Sequence, residues 1–315
     1  MERIILEFPK QFREGIKLSE KVKPVGKFKK VLICGMGGSA LAGDVLKMWL
    51  ESQKIELPIS IYKNYKLPFW ANKDYLVIVI SYSGNTEESV SAFKEAIKKK
   101  LALAAITSGG KLEKLCIENK IPIVLIPKGF QPRMALGFQF SALAKILMNC
   151  KMLKNKTKEI LSLEKTLNPK LLKKRGEKIA KKLKSKIPVI YSSYSMRTLA
   201  NIWKVKFNEN SKTPAFSNFF PELNHNEMVG FERVKDIFHL IILKDKDPKT
   251  AKRMQLTSNI LKIKTDFIEL KGKTMLEKIF SNILLSDWTS FYLAKRESID
   301  PIPVKIVEEF KERLK

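Results

Sequence analysis

A stretch rich in small hydroxyl side chains, SYSGNTEES at residues 81–89, lies between an apolar run and an amphipathic one. Ser81 and Ser83 alternate at the end of the predicted strand, and Gly84 allows a tight turn. Thr86 stands where a helix N-cap is expected, beside backbone N–H groups that lack intrahelical partners and carry a partial positive charge. Such groups and three hydroxyls suit a phosphoryl group. Capping alone accounts for Thr86 but not for the two serines, so the stretch predicts a phosphate site.

A glycine-rich turn, CGMGGSALAGD at residues 34–44, follows another apolar run and opens a predicted helix. A dinucleotide-binding turn, G-x-G-x-x-G, would need glycine where this chain has Ala40, and an acidic residue at the end of the next strand. Neither requirement is met, and the sequence has no G-x-x-x-x-G-K-[ST] motif for a nucleotide triphosphate. Gly38 and Ser39 still let the backbone approach an anion closely. The stretch predicts either an anion-binding turn or a plain tight turn.

Acid–base chemistry is indicated in a third stretch, FNENSKTPAFSNFFPELNHNE at residues 207–227. Of the two histidines in the chain, His239 lies in an apolar run and is predicted to be structural. His225 lies between two asparagines in a polar turn, with the carboxylates of Glu209 and Glu227 nearby in sequence. A histidine with a pKa of about 6.5 suits general acid–base catalysis, although an ordinary surface histidine fits the same composition. A single histidine here argues against a multi-histidine metal site.

The elements that would position these residues alternate along the chain. Nearly continuous apolar runs are typical of strands that are covered on both faces. Amphipathic stretches between them are typical of helices, so the pattern predicts an α/β fold with a doubly wound parallel sheet. The predicted strands are 30–35, 58–62, 75–81, 101–107, 121–127, 187–193, 237–245 and 266–270. The predicted helices include 39–53, 86–100, 196–210, 274–298 and 303–315.

Two copies of one fold are indicated by the order strand, serine-rich turn, helix, which occurs in ISYSGNTEE and again in IYSSYSMRT. Residues 138–186 contain no clear strand and are rich in leucine and lysine, which predicts a helical connection. We therefore expect an N-terminal domain at 1–150, and a helical connection with a C-terminal domain at 151–315.

The composition is strongly basic, with 60 Lys and Arg against 32 Asp and Glu in 315 residues. An excess of this size can favour nucleic acid, because neutralising phosphates releases counterions. The basic residues are spread over the whole chain, however, and the basic runs lack the interleaved aromatics of single-strand binders. A general attraction for anionic substrates is the expected consequence.

The remaining totals indicate a cytoplasmic protein. The three cysteines are far apart in sequence, which favours neither a disulfide framework nor a metal cluster. The N-terminus is charged from its second residue, unlike a signal peptide, and no apolar run is long enough to span a membrane.

Several motifs occur in order across nearly the whole chain: GMGGSALAGD, SYSGNTEES, ITSGGKL, PRMALG, NEN with PELNHNE, and the terminal DPIPV. In this combination they resemble the archaeal-type bifunctional phosphoglucose/phosphomannose isomerases, which are built from two sugar isomerase (SIS) domains. The resemblance implies aldose–ketose isomerisation of hexose 6-phosphates through a cis-enediol(ate), with no metal and no organic cofactor. It also implies a homodimer whose active site is shared, the histidine coming from the partner subunit.

The resemblance assigns roles to particular residues. Glu209 would move the proton between C1 and C2, and His225 would open the sugar ring with help from Lys311 on the last helix. Arg133 would stabilise the negative charge of the enediolate. The phosphate would be held by a larger set: Gly38, Ser39, Ser81, Ser83 and Thr86.

The chain departs from the family pattern at Ile302, where a threonine is common. The missing hydroxyl bears on mannose 6-phosphate, whose handling depends on a water or hydroxyl near C2, and leaves the glucose 6-phosphate activity as expected. Two other functions stay open: a non-catalytic SIS protein that senses sugar phosphates, and an isomerase for an amino-sugar phosphate. A sensor would not need NEN, NHNE and the terminal lysine together, and no amide-hydrolysing domain is recognisable in the sequence.

Overall fold

The structure, a computed structural model, describes residues 1–314. The chain forms two compact units. The N-terminal unit is Glu7–Thr166, and the C-terminal unit combines Met1–Leu6 with the chain from Leu167 onward. No helix among the described residues has both the length and the apolar character that crossing a bilayer requires.

The elements up to residue 166 alternate between helix and strand after two initial helices. In chain order they are α1 (Glu2–Glu7), α2 (Lys10–Leu18), β1 (Lys30–Gly35), α3 (Gly37–Ser52), β2 (Ile59–Tyr62), β3 (Tyr75–Ser81), α4 (Glu87–Lys98), β4 (Ala102–Thr107), α5 (Gly110–Glu118), β5 (Ile123–Leu125), α6 (Leu136–Asn149) and α7 (Thr157–Thr166).

The N-terminal unit is built on a parallel sheet in the order β2-β1-β3-β4-β5. Alternate residues of β1, β3 and β4 form a core cluster with the buried residues of α4 and α5. On α3, Gly43 lets the helix approach the side chains of Ile33 and Ile61 on the strands. Helix α2 packs against α6, where Gly15 lies on the backbone of Phe138. The predicted doubly wound parallel sheet is confirmed here.

The register of the sheet brings the predicted phosphate-binding stretches to one edge. Gly35 at the end of β1 pairs with Ile80, and Ser81 at the end of β3 pairs with Thr107. Carboxyl ends of parallel strands meet at the same edge, which is where open α/β sheets bind ligands. The turns after β1, β3 and β4 are therefore neighbours, although about 70 residues separate the first from the last.

The elements of the C-terminal part begin with a helix and end with two. In chain order they are α8 (Pro169–Lys182), β6 (Ile187–Ser193), α9 (Arg197–Lys206), β7 (Phe216–Phe220), β8 (Phe238–Leu243), α10 (Pro248–Leu261), β9 (Thr265–Ile268), α11 (Met275–Arg296) and α12 (Lys305–Arg313).

The C-terminal unit has a second parallel sheet, in the order β7-β6-β8-β9. Alternate residues of β6 and β8 form a core cluster with Met254 and Leu261 of α10. Helix α9 packs against β6 and β7, and the long helix α11 packs against α8 and α9. Both units therefore have the predicted fold class.

One local expectation differs from the structure. Strand β7 lies inside the stretch that the sequence indicated only as polar and turn-rich, because its aromatic run FSNFF is just five residues long. Helix α4 buries Ser89, Ala92, Phe93 and Ala96 against the sheet, and the half-buried Ile97 packs on the same core. Small residues face the sheet here because the helix packs closely on it.

Candidate active site

The hydroxyl groups after β3 are arranged around the first turn of α4. Ser81 is buried, and its Oγ donates a hydrogen bond to Oγ1 of Thr86 at 3.1 Å. Thr86 is the N-cap residue, as predicted, but its side chain makes no capping hydrogen bond. The threonine therefore does not satisfy the first-turn N–H groups of α4, which stay available to an anion. Ser83 is exposed, and its Oγ accepts from the backbone N–H of Asn85 at 3.3 Å.

Glycines allow the turn after β4, residues 108–110, to lie directly against the turn after β3. Gly84 has φ +67°, and a Cβ there would overlap the carbonyl of Gly109. Gly110 has φ +76°, and a Cβ there would overlap the carbonyl of Ser83. The two turns meet backbone to backbone, and Oδ1 of Asn85 accepts a hydrogen bond from the backbone N–H of Lys111 at 3.0 Å. Within the SGG motif of residues 108–110, the two glycines permit this close approach, and the hydroxyl of Ser108 donates to the carbonyl of Tyr82 at 2.7 Å.

The turn after β1 joins the same region. Ser39, in the first turn of α3, is buried, and its Oγ accepts a hydrogen bond from the backbone N–H of Tyr82 at 3.0 Å. The Tyr82 hydroxyl donates to the carbonyl of Pro127 at 2.9 Å and accepts from the N–H of Phe130 at 2.8 Å. Burial raises the pKa of Tyr82, which keeps this hydroxyl protonated. In the sequence, only its place among the hydroxyl residues singles out Tyr82.

Arg133 lies beside the glycine-rich turn. It stands in a 3-10 turn, Pro132–Met134, and is 1% exposed, unlike a solvated arginine of a surface loop. A Cβ on Gly38 would lie 2.6 Å from the backbone nitrogen of Arg133, so only glycine permits this approach. The arginine is thereby held next to the start of α3.

A glutamine from α2 holds the same 3-10 turn in place. The Nε2 of Gln11 donates to the carbonyl of Met134 at 2.8 Å, and its Oε1 accepts from the N–H of Gly137 at 3.0 Å. Gln11 is 3% exposed, so both halves of its carboxamide are satisfied inside the protein. The only signal for this residue in the sequence is a polar side chain beside Phe12 on the apolar face of α2.

Glu209 stands at the end of α9 in a π-helical turn, Phe207–Ser211, a form that is frequent at functional sites. Its side chain is half-buried, unlike that of an ordinary solvated glutamate. The following Asn210 is fully buried, and its Nδ2 donates to Oγ of Ser290 on α11 at 2.9 Å. The backbone around Glu209 is thus attached to a core helix.

A buried ion pair lies one turn before Glu209. Nζ of Lys206 is 2.7 Å from Oδ1 of Asp287 on α11, and both side chains are 1% exposed. Removing one partner of a buried pair costs about 3–5 kcal/mol, since the other charge is left in the interior. The pair was missed in the sequence, although Asp287 is a lone acid within the apolar stretch NILLSDWTSF.

His225 and Lys311 stand on separate elements of the C-terminal unit. His225 ends a short 3-10 turn, Glu222–His225, and is exposed. Lys311 lies on α12, no residue of which is buried. Within residues 1–314, no hydrogen bond links His225 to Lys311. The structure therefore brings together the predicted phosphate-binding residues and Arg133, whereas His225 and Lys311 are presented at the surface.

No group of three or more His, Cys, Asp or Glu side chains in the described part of the chain is placed to hold a metal ion. Burial raises the pKa of both Cys34 and Cys116 to about 12, so these thiols are poor nucleophiles and metal ligands.

Comparison with known families gives a match in each unit. The SIS domain family matches residues 27–120, and the family described as bacterial phospho-glucose isomerase C-terminal SIS domain matches residues 172–314.

Solved structures share the fold at low sequence identity. The C-terminal domain of glucosamine-fructose-6-phosphate aminotransferase from Francisella tularensis has a TM-score of 0.73 at 15% identity, over 96% of this chain and 97% of its own. Tagatose-6-phosphate ketose/aldose isomerase from Escherichia coli has a TM-score of 0.71 at 15% identity, over 95% of this chain and 93% of its own. The protein is therefore a double SIS-domain protein.

Comparison with curated relatives assigns the chain to one family among the SIS-domain proteins. A bifunctional phosphoglucose/phosphomannose isomerase from Aquifex aeolicus is 39% identical over 93% of this chain and 92% of its own. One from Caldicellulosiruptor bescii is 34% identical over 98% of this chain and 97% of its own. A D-glucosamine-6-phosphate 4-epimerase from Sulfolobus acidocaldarius is 28% identical over 96% of this chain and 95% of its own. The chain belongs to the bifunctional phosphoglucose/phosphomannose isomerase family.

Proposed function

We propose that this protein is an aldose–ketose isomerase that interconverts glucose 6-phosphate and fructose 6-phosphate, and also mannose 6-phosphate and fructose 6-phosphate. The observation that carries the proposal is the group of hydroxyls at the start of α4, Ser81, Ser83 and Thr86, which we call the phosphate cradle together with Ser39. The chain that contains it is 39% identical to a bifunctional phosphoglucose/phosphomannose isomerase. The phosphate-binding residues fall within 1–150 and the acid–base residues Glu209 and His225 within 151–315, the division of roles expected from the sequence.

Substrate binding begins at the phosphate. The hydroxyls of Ser39, Ser81, Ser83 and Thr86 and the first-turn N–H groups of α4 donate to its oxygens. Each hydrogen bond to a charged group contributes about 1.5–3 kcal/mol, so a few of them hold a hexose phosphate without a lysine. On binding, the Ser81 hydroxyl exchanges its donation to Thr86 for one to the phosphate, which is a small rearrangement.

The proton transfer is assigned to Glu209. A carboxylate removes the proton from C2 of the open-chain aldose and returns it to C1 of the cis-enediolate, giving the ketose. Glu209 is half-buried on a turn that is attached to the core helix α11, which suits a group that must meet the substrate at a fixed position. Arg133 stabilises the enediolate oxygen as a buried donor that needs no solvent reorganisation.

Ring opening is assigned to His225 with Lys311. A neutral imidazole takes the proton of the anomeric hydroxyl, and the protonated form delivers a proton to the ring oxygen as the C–O bond breaks. Both side chains are exposed, which is consistent with a site that is completed by a second copy of the chain.

The proposed homodimer has further support on α12. Its apolar residues are open to solvent, with Ile306 80% and Phe310 62% exposed at a spacing that puts them on one helix face. Large apolar side chains grouped in this way mark interaction surfaces. Light scattering coupled to size-exclusion chromatography should give twice the chain mass, and Phe310→Glu should shift the protein toward the monomer.

The test of the function is an assay of the purified protein on glucose 6-phosphate, mannose 6-phosphate and fructose 6-phosphate, with glucosamine 6-phosphate as a fourth substrate. We expect turnover of the first three, unchanged by metal chelators. Turnover of none of them, with sugar phosphates still bound, would favour the sensor function. Turnover of glucosamine 6-phosphate alone would favour the activity named for the Sulfolobus relative.

A further inference from the structure

The turn that carries His225 is attached to the C-terminal unit at several points. Leu223 is fully buried and Phe231 is 6% exposed, and both belong to the core cluster on the second sheet. Asn224 donates from Nδ2 to Oγ1 of Thr257 on α10 at 2.8 Å. His225 is exposed between these attachments. A side chain that must move protons at a set position therefore stands on a short and well-anchored segment.

The strongest polar attachment is the carboxylate of Glu227, two residues after His225. Its Oε1 accepts a hydrogen bond from the hydroxyl of Tyr191 at 2.6 Å, and its Oε2 accepts one from Nδ2 of Asn218. Tyr191 on β6 and Asn218 on β7 are direct partners in the parallel register, so their side chains leave the same face of the sheet. Two neighbouring strands thus converge on one carboxylate.

The donors are well suited to hold a carboxylate permanently. Tyr191 is fully buried and packs edge-on against Phe220 at a centroid distance of 6.0 Å. Burial and the hydrogen bond to Glu227 both raise the pKa of Tyr191, so its hydroxyl stays protonated and keeps donating. Because each oxygen of Glu227 already has a donor, this carboxylate is poorly placed to exchange protons with a substrate.

We propose that Glu227 is a positioning residue for His225: its carboxylate, held by Tyr191 and Asn218, fixes the turn from which the histidine opens the sugar ring. The inference deepens the proposed function and rests on it. It assigns to Glu227 an effect on ring opening alone, since the phosphate cradle and Glu209 stand on other elements. The proton transfer between C1 and C2 should then proceed normally once the chain form of the sugar is present.

The first test compares Glu227→Gln with Glu232→Gln, a matched change at an exposed glutamate of the neighbouring turn. An amide nitrogen at position 227 would face one of the two donors and break that bond. A displacement of about 1 Å can cost about a hundredfold in rate, so we expect kcat on fructose 6-phosphate to fall about 10- to 100-fold in Glu227→Gln. KM should stay within about twofold, and Glu232→Gln should behave as the wild type.

Tyr191→Phe adds a second variant on the other side of the same bond. It should lower kcat less than Glu227→Gln, and the double variant should lose less than the two single losses combined, because both changes act on the same hydrogen-bonded group. Additive losses would contradict a shared positioning role. Circular dichroism and thermal midpoints identify any variant that has lost its fold, and the milder Tyr191→Phe keeps the test valid in that case.

The decisive test uses a substrate that needs no ring opening. 5-Deoxyfructose 6-phosphate lacks the hydroxyl that would close its ring, and its terminal oxygen is blocked by the phosphate, so it stays open. Exchange of its C1 protons with deuterated solvent, followed by NMR, reports proton transfer alone. The wild type and Glu227→Gln should exchange at rates within about threefold, while fructose 6-phosphate turnover differs by the larger factor given above.

Each outcome of this test either supports or overturns the inference on Glu227. Equal losses on both substrates would overturn the inference, because the damage would then lie outside the ring-opening step. An unchanged rate of Glu227→Gln on fructose 6-phosphate would also overturn the inference. A wild type that does not exchange the C1 protons of the open-chain analogue would overturn it as well. Failure of the proposed function is recognised separately, by a wild type with no turnover of any hexose phosphate.

Discussion

Ser81 donates its hydroxyl hydrogen to Thr86 at 3.1 Å, and Thr86 in turn leaves the start of its own helix uncapped. An N-cap threonine normally accepts from a first-turn N–H group, and replacing such a cap typically costs about 1 kcal/mol. Here that stabilisation is forgone, and the helix start is kept available for an external anion. This relationship supports the proposed phosphate site, because an ordinary strand–helix turn would use Thr86 as a cap.

Removal of one cradle hydroxyl should weaken substrate binding while the chemistry survives. Ser83→Ala removes a donor to the phosphate, and a hydrogen bond to a charged group contributes about 1.5–3 kcal/mol. We expect KM for fructose 6-phosphate to rise about 10- to 100-fold with little change in kcat, measured by steady-state kinetics. Ser91→Ala, one turn further along α4, is the matched control, and an equal rise of its KM would count against the cradle.

The close approach of Gly38 to Arg133 should not tolerate a methyl group. In Gly38→Ala the new Cβ would lie 2.6 Å from a backbone nitrogen, and backbone cannot move as a side-chain end does. We expect a lower thermal midpoint and a fall in kcat, because Arg133 would be displaced from the enediolate. Gly43→Ala is the control, since its Cβ would meet side-chain atoms of Ile33 at 3.1 Å, which can adjust. Similar midpoints and rates for the two variants would contradict this account.

Ile302 is predicted to limit the mannose-phosphate activity. Ile302→Thr restores the hydroxyl that is common in the family, at a position that is 43% exposed and follows the turn capped by Asp300. The ratio of kcat/KM for mannose 6-phosphate to that for glucose 6-phosphate should increase several-fold, measured in parallel coupled assays. Ile302→Val serves as the apolar control, and a ratio that changes equally in both variants would exclude the hydroxyl as the cause.

Asp266 is predicted to stabilise the C-terminal sheet above acidic pH. Burial opposes its ionised form, but hydrogen bonds from His239 at 2.9 Å and Lys182 at 2.5 Å outweigh burial, so the pKa of Asp266 is lowered. A lowered carboxyl pKa adds stability above the unfolded value of about 3.9, and this stability is lost as the pH falls through the folded value.

Asp266→Asn should therefore lower the free energy of unfolding by about 1–3 kcal/mol at pH 7. The difference from the wild type should shrink as the pH falls below about 4. Denaturant titrations at several pH values measure it, with Asp236→Asn as an exposed control. A difference that is independent of pH would show that the carboxylate charge is not the source of the stability.

Much of the fold could be predicted because nearly continuous apolar runs such as YLVIVIS can only be strands covered on both faces. The hydroxyl-rich turn after β3 could be predicted because Ser81, Ser83 and Thr86 lie close together in sequence. Tyr82, Gln11 and the Lys206–Asp287 pair could not, since their partners are more than 40 residues away and become visible only when the chain is folded. Strand β7 was missed for a related reason: its parallel partner, β6, is supplied by the sheet and not by a neighbouring hairpin.

Glu209 is proposed to move a proton between C1 and C2 of a hexose phosphate, and solvent-isotope exchange measures that proton transfer itself. In deuterated water, the wild type should incorporate deuterium at C2 of glucose 6-phosphate during its conversion, followed by NMR. Glu209→Gln should lose both exchange and turnover by about a thousandfold, within the range of general base catalysis, while still binding the substrate. Exchange that persists at the wild-type rate in Glu209→Gln would contradict the account.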